Sequence, residues 1–134
     1  MSPDGRYRGG VEIRVAGAEG WIAFECDDRG QVEDITLRLG PLFGHVEATI
    51  GLDLSAMRDD LSRVLSSPTL TGRASIESVE HDFVLRIDVE NGKGFARGRI
   101  TTQFADDGSL DFALSTDQSY LGETLRQLDR LFSG

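Results

Sequence analysis

Val11, Ile13 and Val15 alternate with Glu12 and Arg14, and this two-residue rhythm returns along most of the chain. Strict alternation marks a strand with one buried face. It predicts a first strand there and a second at Trp21-Ile22-Ala23-Phe24-Glu25-Cys26, apolar on both faces at its start. In a third, Ile35, Leu37 and Leu39 alternate with Asp34, Thr36 and Arg38, until Gly40-Pro41 breaks it. In a fourth, Val46, Ala48, Ile50 and Leu52 alternate with His45, Glu47 and Thr49. Gly17-Ala18-Glu19-Gly20 and Asp27-Asp28-Arg29-Gly30 have the composition of turns.

The rhythm then changes to a helical one. Leu54, Met57, Leu61, Val64 and Leu65 share a face, with Arg58, Asp59, Asp60, Ser62 and Arg63 away from it. Asp53 or Ser55 caps this helix, because either side chain can accept from the free N–H groups of the first turn. Ser66-Ser67-Pro68 stops it, since proline disfavours helical geometry in the residue before it.

A second round of strands follows. Ala74 and Ile76 lie in a strand ending near Val79, and Glu80-His81-Asp82 makes a tight connection. Phe83, Leu85, Ile87 and Val89 alternate with Val84, Arg86, Asp88 and Glu90. Asn91-Gly92 is a hairpin signal, because both residues accept positive φ. Residues 95–104 form a long strand with Arg97, Arg99, Thr101 and Gln103 facing solvent. After the turn Asp106-Asp107-Gly108-Ser109, the strand Ser109-Leu110-Asp111-Phe112-Ala113-Leu114 feeds a last helix. Its apolar face is Tyr120, Leu121, Leu125, Leu128, Leu131 and Phe132.

Gly30 and Gly94, Gly44 and Gly108, Asp53 and Asp117, and Leu61 and Leu125 all stand 64 residues apart. The chain therefore reads as a single domain over residues 1–134, with a pseudo-repeat of 11–66 and 74–133, each a β-meander followed by a helix. The expected class is α+β. About eight antiparallel strands form an extended sheet or two four-strand meanders, and two amphipathic helices cover one face. The uncovered face, or an edge, is left for a partner.

Composition narrows the function more than the fold. The formal net charge is −9, which repels phosphates, so a nucleic-acid ligand is not expected. Cys26 is the single cysteine, so no internal disulfide forms and a reducing cytoplasm is the simpler compartment. Residues 1–10 are polar and Gly-rich with no apolar export segment, and no stretch approaches the length of a membrane span.

Candidate chemistry is sparse. His45 and His81 are the only histidines, set apart in a strand and a turn, and both read as surface residues. Cys26 reads as a small buried thiol rather than a nucleophile, which would need a neighbouring base. The pairs Asp27-Asp28 and Asp106-Asp107 adjoin glycines in turns and lack the spacing and closing Glu of a calcium loop, so no metal is expected. Gly92-Lys93-Gly94-Phe95-Ala96-Arg97-Gly98 lies between strands, where no helix N-terminus would meet a phosphate. Trp21, Phe24, Phe83, Phe104 and Phe112 read as core. No catalytic constellation and no cofactor site are expected.

The segment Phe112-Ala113-Leu114-Ser115-Thr116-Asp117-Gln118-Ser119-Tyr120-Leu121, followed by a Leu-rich helix, resembles the C-terminal segment of the WapI-like immunity proteins of bacterial polymorphic toxin systems. Asp117-Gln118-Ser119-Tyr120-Leu121 is the most specific stretch, and Gly122 departs from good helix-forming sequence directly after it. The resemblance implies a non-enzymatic inhibitor that binds and blocks a cognate toxin. Many such toxins are nucleases with basic clefts, which an acidic inhibitor would fill. Expected contacts are exposed acids: Asp27, Asp28, Asp59, Asp60, Glu77, Glu80, Asp82, Asp106 and Asp107. The competing reading is a small α+β ligand-binding or oligomerisation module. Its ligand-binding form needs inward polar residues, and the inward positions here are apolar.

Overall fold

A computed structural model describes residues 11–47, 52–78, 83–101 and 109–133. The first meander is β1 (Val11–Gly17), β2 (Gly20–Cys26), β3 (Val32–Leu39) and β4 (Leu42–Glu47), followed by α1 (Ser55–Ser66). The second is β5 (Gly72–Glu77), β6 (Phe83–Glu90), β7 (Lys93–Thr101) and β8 (Ser109–Asp117), followed by α2 (Gln118–Ser133). The class is α+β, and every strand pair is antiparallel. The eight strands divide into two four-stranded sheets, each in sequence order, rather than running as one extended sheet. The reason lies in the burial. Each sheet has one apolar face, and the two faces share a single core. Phe24 of β2 meets Phe83 of β6 edge-on at 5.7 Å, and Phe83 stacks on Phe112 of β8 at 6.3 Å.

The turns explain the registers. Asn91 and Gly92 both take positive φ, 53° and 83°, as a two-residue hairpin requires. Gly40-Pro41 is also a two-residue turn, with Leu39 opposite Leu42, so β4 begins earlier than alternation suggests. Leu42 and Phe43 at its start are adjacent apolar residues, both exposed, and so break the alternation. The distal part of that expected strand, residues 48–51, lies outside the described residues.

Each helix starts on its own meander and then lies against the other. The N–H of Leu54 donates to the carbonyl of Gly30 (3.1 Å), and that of Gln118 to the carbonyl of Gly92 (2.7 Å). Gly92, rather than Gly94, is therefore the counterpart of Gly30. Asp53 accepts from the N–H of Ser55 and Asp117 from that of Ser119, both at 2.9 Å, tying down free donors of the first turns. Leu54, Met57, Leu61 and Val64 of the first helical run are buried, and the helix ends before extended Ser67.

The bodies of the helices cover strand edges. α2 runs along β1, and α1 along β5. The hydroxyl of Thr124 donates to the carbonyl of Arg14 at 2.7 Å, and Gln127 Oε1 accepts from its N–H at 2.8 Å. Thr116 of β8 closes the next position by donating to the carbonyl of Ala16 at 2.7 Å. On the other side, Asp60 of α1 accepts from the N–H of Ser75 in β5 at 3.3 Å. These contacts satisfy the backbone groups that an edge strand would leave open. Among the described residues no helix is long and apolar enough to cross a membrane.

Candidate functional site

Among the described residues the reactive side chains do not converge. Cys26 is buried, its thiol 3.5 Å from the Val11 carbonyl, and its pKa is raised to about 11 by burial and then by the charges of Asp27 and Glu33. A thiol held protonated in this way is a poor nucleophile. His45 is exposed on β4 with Nε2 3.1 Å from Asp34 Oδ1. His81 lies outside the described residues. Among the described residues no group of His, Cys, Asp and Glu could hold a metal ion.

The expected contact acids fall in different places. Asp27 works within its own turn, accepting from the N–H groups of Arg29 (2.9 Å) and Gln31 (3.0 Å), while Asp28 beside it is exposed. Asp59 is exposed on α1 beside Arg58 (3.4 Å). Asp60 is half-buried, bridging Arg63 (3.1 Å) and the β5 backbone. Glu77 is exposed in β5. Glu80, Asp82, Asp106 and Asp107 lie outside the described residues.

The fold gathers other acids around Asp27 and Asp28. On the outer face of the first sheet, Glu12 stands opposite Glu25, and Glu25 opposite Asp34. Like charges directly opposed across strands repel. Arg14 offsets Glu12 at 2.6 Å and His45 approaches Asp34, but Glu25 between them has no ion pair among the described residues. A β-bulge between β2 and β3 adds to the row. It lets Glu33 and Asp34 both reach the surface while Val32 and Ile35 stay buried. Only the spacing of Val32 and Ile35, three residues rather than two, hints at this in the sequence.

The outer face of the second sheet carries one like-charge pair of the opposite sign among charged residues of both signs. Arg86 of β6 stands directly opposite Arg97 of β7, and neither has an ion pair among the described residues. The rows on either side are neutralised: Arg73 pairs with Asp88 and Arg99 with Asp111, both at 2.6 Å. The guanidinium of Arg99 holds the Asp111 carboxyl below its usual range by a hydrogen bond, and Asp111 in turn raises Arg99. Phe95, 40% exposed, lies under Arg97 at 5.2 Å. Together they line a shallow depression of about 640 Å³. Trp21 corrects the expectation of a core aromatic. It points outward from β2 and is only half-buried, with the Arg14 guanidinium 4.2 Å from its ring centre. Phe24, Phe83 and Phe112 are buried, and Phe104 lies outside the described residues.

The model of the Immunity protein WapI-like family matches residues 48–133. The match takes in α1, the whole second meander and α2, and leaves out β1 to β4. No curated protein and no solved structure matches the chain. The family match covers more than half of the sequence, including the segment from Phe112 to Leu121 that joins the last strand to the last helix, and the chain therefore belongs to the WapI-like immunity protein family.

Proposed function

We propose that this chain is an immunity protein that binds a cognate bacterial toxin and neutralises it by covering its working surface, without chemistry of its own. Membership of the family carries the reading. A scaffold whose one thiol is buried supports a role in binding rather than catalysis. The partner that suits the acidic row of the first sheet is a basic, nuclease-like protein. Glu12, Glu25 and Asp34, with Asp27 and Asp28 at the same end, repel one another in the free protein, and a basic cleft would relieve that repulsion. The net charge of −9 also speeds encounter with a cationic partner. Asp59, Asp60, Glu77, Glu80, Asp82, Asp106 and Asp107 are further candidate contacts in the same reading. A lone cysteine suits work in a reducing cytoplasm.

Co-expression with the toxin domain encoded beside it is expected to restore growth, and the purified pair to form a complex that weakens with salt. Charge reversal by Glu12→Lys, Glu25→Lys and Asp34→Lys together is expected to slow association at least ~10-fold, because steering charges act chiefly on the on-rate. Failure of rescue sinks the immunity reading. Rescue with unchanged binding by the triple variant sinks only the assignment of the surface.

A further inference from the structure

The outer faces of the two sheets carry complementary rows. Arg86 and Arg97 are register partners on β6 and β7, and Glu25 and Asp34 are register partners on β2 and β3. Both spacings are set by the same distance between neighbouring strands, about 4.7–4.9 Å. Two arginines on one face therefore match two carboxylates on the other in separation. Sheets packed face to face stand about 10 Å apart, within the combined reach of an arginine and a glutamate. Each face also presents an exposed phenylalanine, Phe43 on the first sheet and Phe95 on the second. Aromatic residues and arginine are the types enriched where proteins meet.

We propose that a second copy of this chain is the occupant of the arginine row, docking with its own Glu25–Asp34 row so that copies associate head to tail. The inward faces of the two sheets share one core, so the outer faces point away from each other. A pair of copies cannot close the contact on itself, so association runs past the dimer. A four-stranded face covers only about 450 Å² by strand spacing and rise. That gives roughly 900 Å² in total, the size class of weak and reversible contacts. The inference is independent of the toxin reading, although a basic partner on the acidic row would compete with the second copy.

Sedimentation equilibrium on the full chain tests it. The average mass is expected to rise with concentration towards ~1 mM in 0.1 M salt and to return to the monomer value in 1 M salt, where the Debye length is about 3 Å. Arg86→Gln with Arg97→Gln, and separately Glu25→Gln with Asp34→Asn, should each stay monomeric. An equimolar mixture of the two variants should give a 1:1 dimer and nothing larger, because each keeps one working face. The arginine variant should melt no lower than the parent, since it removes a like-charge pair. Concentration-dependent shifts of backbone amide signals in β2, β3, β6 and β7 give a readout on the unaltered protein. A wild-type chain that stays monomeric throughout overturns the proposal. So do assembly that survives both variants and variants that do not pair when mixed.

Discussion

Thr124 offers the sharpest test of how the fold is closed. It is fully buried on α2, and its hydroxyl donates at 2.7 Å to the carbonyl of Arg14 on the outer edge of β1, with a longer contact of 3.2 Å to the Tyr120 carbonyl. Thr124→Val keeps the shape and removes the donor, leaving the Arg14 carbonyl against a methyl group. An orphaned buried acceptor costs about 1–3 kcal/mol. Valine and threonine have similar helix propensities, so that contribution cancels. The gain from burying a methyl in place of a hydroxyl offsets part of the loss, and the expected net is about 1–2 kcal/mol. For a chain of 134 residues this lowers Tm by roughly 3–8 °C, taking about 3–4 °C per kcal/mol. Urea unfolding should show a lower midpoint with unchanged slope, since the surface exposed on unfolding is the same. Thr124→Ser keeps the donor and loses a methyl, so it should fall by only ~1 kcal/mol. A valine variant as stable as the parent would refute the view that α2 holds β1 by this bond.

Further expectations follow from particular positions. Gly122 sits in the first turns of α2, and a Cβ there would meet nothing within 4 Å, so Gly122→Ala should raise stability by about 0.5–1 kcal/mol in a thermal melt. Gly17 is the reverse case: a Cβ would fall 1.8 Å from the Ser115 carbonyl oxygen, where β1 meets β8. Gly17→Ala should therefore lose about 2–3 kcal/mol or fail to fold, as overpacking against backbone does, and an unchanged midpoint would contradict the close approach. Cys26 has its pKa raised from 9.0 to about 11 in the folded chain, so unfolded molecules bind fewer protons than folded ones between those values. Its contribution is complete below pH 9 and is lost as pH rises towards 11, so stability should fall more steeply across that window in the parent than in Cys26→Ala. The native thiol should also react slowly with a disulfide reagent at pH 8 and rapidly once unfolded.

The succession of strands and helices was legible because alternation and helical spacing are local consequences of burying one face. Ile13 and Val15, Leu85 and Ile87, and Leu121 and Leu128 all lie where periodicity assigns them. The buried thiol of Cys26 and the Asn91-Gly92 hairpin were readable for the same local reasons. The family was legible through a short segment about Asp117, whose carboxylate accepts from the first N–H groups of α2. The site was not legible in this way. Of the expected contact acids, Asp27 and Asp60 hold local structure, and the row on the first sheet is formed instead by Glu12, Glu25 and Asp34, none of which was among them.

By itself, then, the sequence determined the order of strands and helices and, for most of them, which side avoids water, because those preferences depend on neighbours in the chain; the start of β4 and the outward Trp21 were the exceptions. Tertiary structure decided that the strands split into two sheets facing one core, that each helix covers the edge strand of the other sheet, and that Thr124 is buried for its hydroxyl. It also decided that Arg86 faces Arg97 and Glu25 faces Asp34. Such pairings depend on register across strands, on a bulge and on which edges need their backbone hydrogen bonds met, and no residue carries that information alone.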